Sequence, residues 1–203
     1  MPLPHHAGQL DIKLSGEEFS RAISAANITL AGIRTLPVFV RQYNRLIAHT
    51  QNKSTAVFGK TCELILCVCQ SWPNENVRLI VDRQGGRVHY LEPLQRIFPE
   101  LPIKILEESE KRSAYRISYP ERDVEIEFSV GGEQASMTTA LASMFSKYTR
   151  ELCMIQFNSF WQSKMPNLAE TAGYYVDGNR FFDEISDEMA LQNIPEDMLY
   201  RCR

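Results

Sequence analysis

The stretch from Phe128 to Trp161, FSVGGEQASMTTALASMFSKYTRELCMIQFNSFW, decides how the rest of the chain is read. A short β-like run enters the Gly131-Gly132 turn, an acid follows at Glu133, and the longest helical pattern in the sequence then begins. Met137, Leu141, Met144, Phe145, Tyr148, Leu152 and Ile155 recur at helical spacing and predict one buried stripe. A more polar stripe, Ser136, Thr139, Ser143, Lys147 and Arg150, starts at the end where Glu133 sits. A carboxylate at a strand-to-helix turn, with hydroxyls and cations along one face, suits a metal-and-phosphate site. The same pattern also describes an ordinary capped and solvated helix. Periodicity leaves both open.

Upstream, Val77 to Asp82 (VRLIVD) is the best strand of the chain and reads as buried. It leads through Arg83-Gln84-Gly85-Gly86-Arg87 to a helix predicted from about Leu91 to Phe98. A strand, turn and helix in this order put Asp82 at the carboxyl edge of a sheet, where open α/β sheets place their sites. Between Ile103 and Val130 three short runs, IKILEE, AYRIS and VEIEFSV, predict an added meander. Nearer the N-terminus, Ser15-Gly16-Glu17-Glu18 has the form of a capping box and predicts a helix over 15–27, after an irregular segment 1–14. Ile28 to Val40, interrupted by Pro37, reads as a strand near a sheet edge or as two short pieces. Tyr43 to His49 and Asn52 to Trp72 read as helices, the second strongly apolar through Leu64, Ile65, Leu66 and Val68. Downstream, Pro166 to Tyr175 is a loop, followed by helices near 178–187 and 195–202. No repeat or linker interrupts the chain, so 15–203 is expected to form one α/β domain.

With 203 residues the chain is long enough for a sizeable core. A net charge of −3 gives no general nucleic-acid footprint, so any such contact must come from a local basic patch. A metal-dependent nuclease is not excluded, because its site is itself acidic. Cys62, Cys67, Cys69, Cys153 and Cys202 have neither zinc-ligand nor redox spacing and read as reduced thiols of a cytoplasmic protein. No apolar run approaches the ~20 residues needed to cross a bilayer. The opening MPLPHHAGQL lacks the features of a signal peptide, and His5 and His6 are assigned no role. A monomer is expected.

The register of Glu133, Ser143, Lys147, Arg150 and Met154 resembles the late motif of type 2 ribonucleases H. There, an acid after a Gly is followed by an A-A-S-I-x-A-K-x-x-R-D-x-x-M helix. Here the helix reads ALASMFSKYTRELCM, with Ser143 ten and Lys147 fourteen residues after the acid, as in the family. The family's V-D-G strand, which carries its third catalytic acid, is similar to Val81-Asp82. Its fourth acid matches Glu133, with Glu in place of the usual Asp. Its K-G-Y-G-T-x-x-H loop is similar to Ala172-Gly173-Tyr174-Tyr175-Val176, which lacks the family's His and Thr. The runs VDRQGGRxxY, SKYxREL, FNxxW and TAGYxxDGxRF resemble a bacterial subgroup whose opening motif is D-E-A-G-Y-G-P. The similarity spans about Asn44 to Arg203. No D-E-A-G-x-G motif occurs here, so the chain is expected to be a C-terminal portion holding two of four metal-binding acids.

The resemblance implies a ribonuclease H-like mixed sheet flanked by helices and lacking its N-terminal strands. It implies an endonuclease acting on the RNA strand of RNA–DNA hybrids or on embedded ribonucleotides, with Mg²⁺ or Mn²⁺. Asp82 and Glu133 would hold the metal. Ser143, Lys147, Arg150, Arg83 and Arg87 would contact the nucleic acid, and Tyr174 would stack on it. Glu107 and Glu108, at the end of IKILEE, are weighed as substitute acids, with a solvated strand end as the plainer reading. The alternative is a non-catalytic module that keeps the fold to bind nucleic acid or a protein.

Overall fold

The computed structural model describes residues 8–202, so His5 and His6 lie outside the described part. In chain order the elements are α1 (Gln9–Ala25), α2 (Val40–Thr50), α3 (Lys53–Ser71), β1 (Val77–Asp82), α4 (Leu91–Ile97), β2 (Ile103–Glu108), β3 (Arg112–Ser118), β4 (Asp123–Ser129), α5 (Gly132–Ala135), α6 (Met137–Lys164) and α7 (Tyr175–Leu191). A 3₁₀ turn at Glu196–Met198 follows, where the sequence predicts a short helix over 195–202. The chain is thus an α/β protein with a four-stranded mixed sheet packed against helices. Among the described residues no helix is long and apolar enough to cross a membrane.

Residues through Arg34 form one unit and those from Thr35 another. In the first unit, α1 begins at Gln9, ahead of the predicted start at residue 15. The N–H of Gly8 donates to Asp11 Oδ2 (3.2 Å), an earlier helix start than Ser15 could supply, and Ser15 to Glu18 become helix interior. Asn27, at φ 54°, ends the helix in the left-handed region. Residues 28–39 form no strand, contrary to the sequence expectation. Pro37 offers no N–H, and without a neighbouring strand an extended backbone has nothing to bond.

In the second unit the sheet runs β1-β4-β3-β2. β2, β3 and β4 are antiparallel, and β4 pairs in parallel with β1. The meander is therefore no appendage. Its last strand is an interior strand of the sheet, because Val124, Ile126 and Phe128 alternate onto one face and are completely buried. A second correction concerns β1. It lies at the sheet edge and none of its residues is fully buried, although its apolar run reads as an interior strand.

One face of the sheet meets α3 and α4. Phe58, Ile65, Tyr90, Leu94, Tyr115 and Phe128 are central to this core. The rings of Tyr90 and Phe128 stack in parallel, their centroids 3.7 Å apart, and the Tyr90 N–H donates to Tyr115 Oη (2.9 Å). The opposite face carries a ladder of charge across all four strands. Arg78 and Arg112 both reach Glu127 (2.9 and 3.0 Å), and Arg112 also reaches Glu107 (2.5 Å). The Arg112 guanidinium holds the Glu127 carboxyl below its ordinary range, against the opposing effect of burial. The buried Arg122 uses carbonyls rather than a carboxylate. It donates to the backbone oxygens of Cys69 and Trp72, closing the C-terminus of α3 with a cation.

The predicted buried stripe of α6 is not buried. Met137, Met144, Tyr148 and Leu152 are between 41% and 64% exposed, and the buried residues of the helix are Thr139, Asn158 and Trp161. α6 meets the sheet near its start, and its last turns join α7 in a second core of Trp161, Leu168, Phe181, Ile185 and Met189. The intervening turns lack that support.

Phe128→Ala should lower stability by about 3–5 kcal/mol in urea unfolding, since it removes the ring that Tyr90 stacks on. Arg122→Met should cost about 1–3 kcal/mol by leaving buried helix-end carbonyls without donors. Glu107→Gln, at a solvated pair, should leave the urea midpoint nearly unchanged in the same assay.

Candidate functional site

The parallel register sets Asp82 opposite Ser129. Two residues beyond Ser129 the chain turns at Gly131, whose φ of 67° favours glycine, and enters the one-turn helix α5. This turn brings the N–H of Gly132 to Asp82 Oδ1 (3.2 Å). Asp82 is thereby joined to the residue directly before Glu133. The two acids singled out from the sequence therefore arrive at the same end of the sheet, on β1 and on the turn after β4.

Gly132 is also a close approach. A Cβ there would lie 3.1 Å from Thr139 Cγ2, 3.5 Å from Asp82 Oδ1 and 3.6 Å from Ser129 Oγ. The Ser129 hydroxyl is buried and has no hydrogen-bond partner among the described residues. Thr139, from the first turn of α6, donates to the Ile80 carbonyl (3.5 Å). Glu133 points along α6. Its Oε1 accepts from Ser143 Oγ (2.5 Å) and lies 3.9 Å from the ammonium of Lys147. Of the polar stripe, Ser143 and Lys147 thus meet Glu133, while Thr139 turns to β1 and Ser136 meets Thr138 (2.8 Å).

Farther along α6, Arg150 sits with its guanidinium 5.1 Å from the centre of the Tyr174 ring and donates to Glu151 and to the Ala172 carbonyl. Tyr174 is 70% exposed on a firmly braced loop. Asn158 exchanges two 3.0 Å bonds with the backbone of Thr171. Asp177 accepts from Thr171 Oγ1 (2.6 Å), from the Ala172 N–H (2.8 Å) and from Arg180 (2.7 Å). The Thr171 hydroxyl first, then Arg180 and the Ala172 N–H, hold the Asp177 carboxyl down at about 2.

The other named residues stand apart. Arg83 turns inward, donating to the carbonyls of Ser109 and Glu110 and to Ser113 Oγ. Arg87 lies over the Phe58 ring (5.0 Å) and donates to Ser54. Both guanidiniums brace the loop after β1. Glu107 pairs with Arg112, and Glu108 accepts from the buried Tyr115 hydroxyl and meets His89 (2.7 Å). Both glutamates lie on β2, which β4 and β3 separate from β1, so neither stands in for a missing acid beside Asp82.

The side-chain oxygens of Asp82 and Ser129 suit a hard divalent cation. The orphaned Ser129 hydroxyl, beside a glycine that puts no side chain between it and Asp82, fits such an ion. The donor set is small, however. Among the described residues no three acidic, histidine or cysteine side chains converge as a metal site. Sequence reasoning missed Ser129, Gly132 and the Thr171–Asp177 clasp. Only the Thr-Ala-Gly-Tyr run hinted at the clasp.

Asp177→Asn should be less stable than the parent at neutral pH. Because the folded carboxyl lies below its ordinary 3.8, the contribution is complete above that value and fades as pH falls towards about 2. Thermal unfolding from pH 5 to pH 2 should therefore show the two midpoints converging. Searches of family models, of the curated proteins and of the solved structures find no match to this chain.

Proposed function

We propose that this chain is the nucleic-acid-binding and partly catalytic portion of a ribonuclease H-fold endonuclease acting on RNA–DNA hybrids or embedded ribonucleotides. The observation that supports this reading is the Gly132 N–H bond to Asp82, which ties the strand end carrying Asp82 to the turn carrying Glu133, whose carboxylate accepts from Ser143. In this reading Lys147 and Arg150 neutralise backbone phosphate, and Tyr174, its face already against a guanidinium, stacks on a sugar or base. Ser143 holds the Glu133 carboxylate in one orientation. Asp82 and Glu133 would hold Mg²⁺ or Mn²⁺. When bound, such a cation supplies Lewis-acid assistance to phosphodiester hydrolysis. The hybrid would be told from DNA by its A-like shape and 2′-hydroxyls. The five cysteines, none in a disulfide, accord with a cytoplasmic setting.

One observation favours a second reading, a module that binds without cutting. Asp82 and Glu133 are two acids, whereas two-metal phosphodiester cleavage draws on three or four. Among the described residues no third acidic side chain joins them as a metal site.

The two readings separate in one pair of assays with a fluorescent RNA–DNA hybrid. Binding should weaken in Lys147→Ala and Arg150→Ala, and the slope of log affinity against log salt should fall by up to roughly 0.9 for each phosphate no longer neutralised. Tyr174→Ala should cost about 1–3 kcal/mol of binding. Mn²⁺-dependent cleavage by the chain should be weak or absent, and Asp82→Asn should remove whatever is present without lowering binding more than a few-fold. Hybrid binding that ignores all three α6–α7 substitutions sinks both readings. Binding that responds to them, with no cleavage under any divalent cation, selects the module.

A further inference from the structure

We infer that the hydroxyl of Ser129 is a further oxygen ligand for a divalent cation held by Asp82. This rests on the reading of Asp82 as a cation ligand and adds a residue that only the strand register reveals. A buried hydroxyl without a partner is costly, so something outside the described contacts should satisfy it. Ser129 is 7% exposed and its Oγ has no hydrogen bond among the described residues. It sits across the parallel ladder from Asp82. A Cβ built on Gly132 would lie 3.1 Å from Thr139 Cγ2, 3.5 Å from Asp82 Oδ1 and 3.6 Å from Ser129 Oγ, so both oxygens flank this glycine, whose N–H donates to Oδ1 (3.2 Å). The φ of Gly132 is not in the left-handed region, so its backbone geometry does not demand glycine. The space beside its Cα is what a side chain would remove.

The chemistry of the pair is that of a hard cation with water completing the shell. One carboxylate and one neutral hydroxyl are a sparse protein contribution, as is usual for Mg²⁺ or Mn²⁺. Glu133 is a weaker contributor in this arrangement, because Ser143 and Lys147 already occupy its Oε1 side.

The test uses Mn²⁺ alone, without nucleic acid, on the full chain in a Cys202→Ser background that removes the one exposed thiol. Bound Mn²⁺ is followed by loss of the free-ion electron paramagnetic resonance signal. Asp82→Asn should abolish binding. Ser129→Ala should weaken it by about tenfold or more, and Gly132→Ala should weaken it by placing a methyl beside both oxygens while removing neither. Ser129→Cys puts a soft ligand at the same position and should raise the potency of Cd²⁺ in displacing Mn²⁺ at least tenfold over the parent. That ratio is read within one protein, so a loss of stability does not imitate it.

Binding that depends on Asp82 but is unchanged in Ser129→Ala, with an unchanged Cd²⁺-to-Mn²⁺ ratio in Ser129→Cys, overturns the role of Ser129 and leaves Asp82 standing. Absence of Mn²⁺ binding in the parent, or binding unaffected by Asp82→Asn, overturns the Asp82 site and this inference together.

Discussion

The parallel pairing of β1 with β4 is the constraint from which the candidate site follows. It aligns the ends of two strands separated by a helix and a meander, so that Asp82 stands opposite Ser129. A slip of one residue would send Asp82 to the other face, away from Gly132. The Gly131–Gly132 turn then folds back onto the edge strand and closes with a single N–H to a carboxylate. A side chain at Gly132 would put its Cβ 3.1 Å from Thr139 Cγ2, tighter than ordinary packing. Register, turn and acid are therefore one structural feature.

The sheet that supports this feature is lopsided. Its α3 and α4 face is filled by interlocking aromatic rings, with Tyr90 clamped between stacking and a hydrogen bond to Tyr115. Its other face is a ladder of arginine and glutamate that neutralises itself strand by strand. Such pairs are partly solvated and add little each to stability. Their effect is to keep that face wet and the four strands in register. The inward-turned Arg83 and Arg87 serve the same framework, because their donors are used within the loop that follows β1.

α6 shows how a long helix can belong to two cores without lying flat on either. Thr139 anchors its start beside β1, and Trp161 anchors its end beside α7. Between these anchors Met144, Tyr148 and Leu152 remain substantially exposed, while Ser143, Lys147 and Arg150 form an organised row on the adjoining face. The helix works as a rod that sets a fixed spacing from Glu133 at its start to the braced Tyr174 loop beside Arg150 at its middle.

Most of the element boundaries were legible in the sequence, because they follow from short-range causes. VRLIVD, IKILEE and the alternation of Val124, Ile126 and Phe128 announce strands through side-chain period. The α3 and α6 patterns announce helices in the same way. Readings that needed a neighbour went wrong. Residues 28–39 have strand-like composition but no strand to pair with, β1 reads as interior yet lies at an edge, and the α6 stripe has the spacing of a buried face without the burial. The site divides along the same line. Asp82, Glu133, Ser143, Lys147 and Arg150 could be named from spacing, since each is fixed to a strand end or a helix face, whereas Tyr174 was named only from the family resemblance. Ser129 and Gly132 could not, because their meaning comes from which residue of another strand lies across from them, and register between distant segments is decided by packing the whole sheet rather than by any local run of residues.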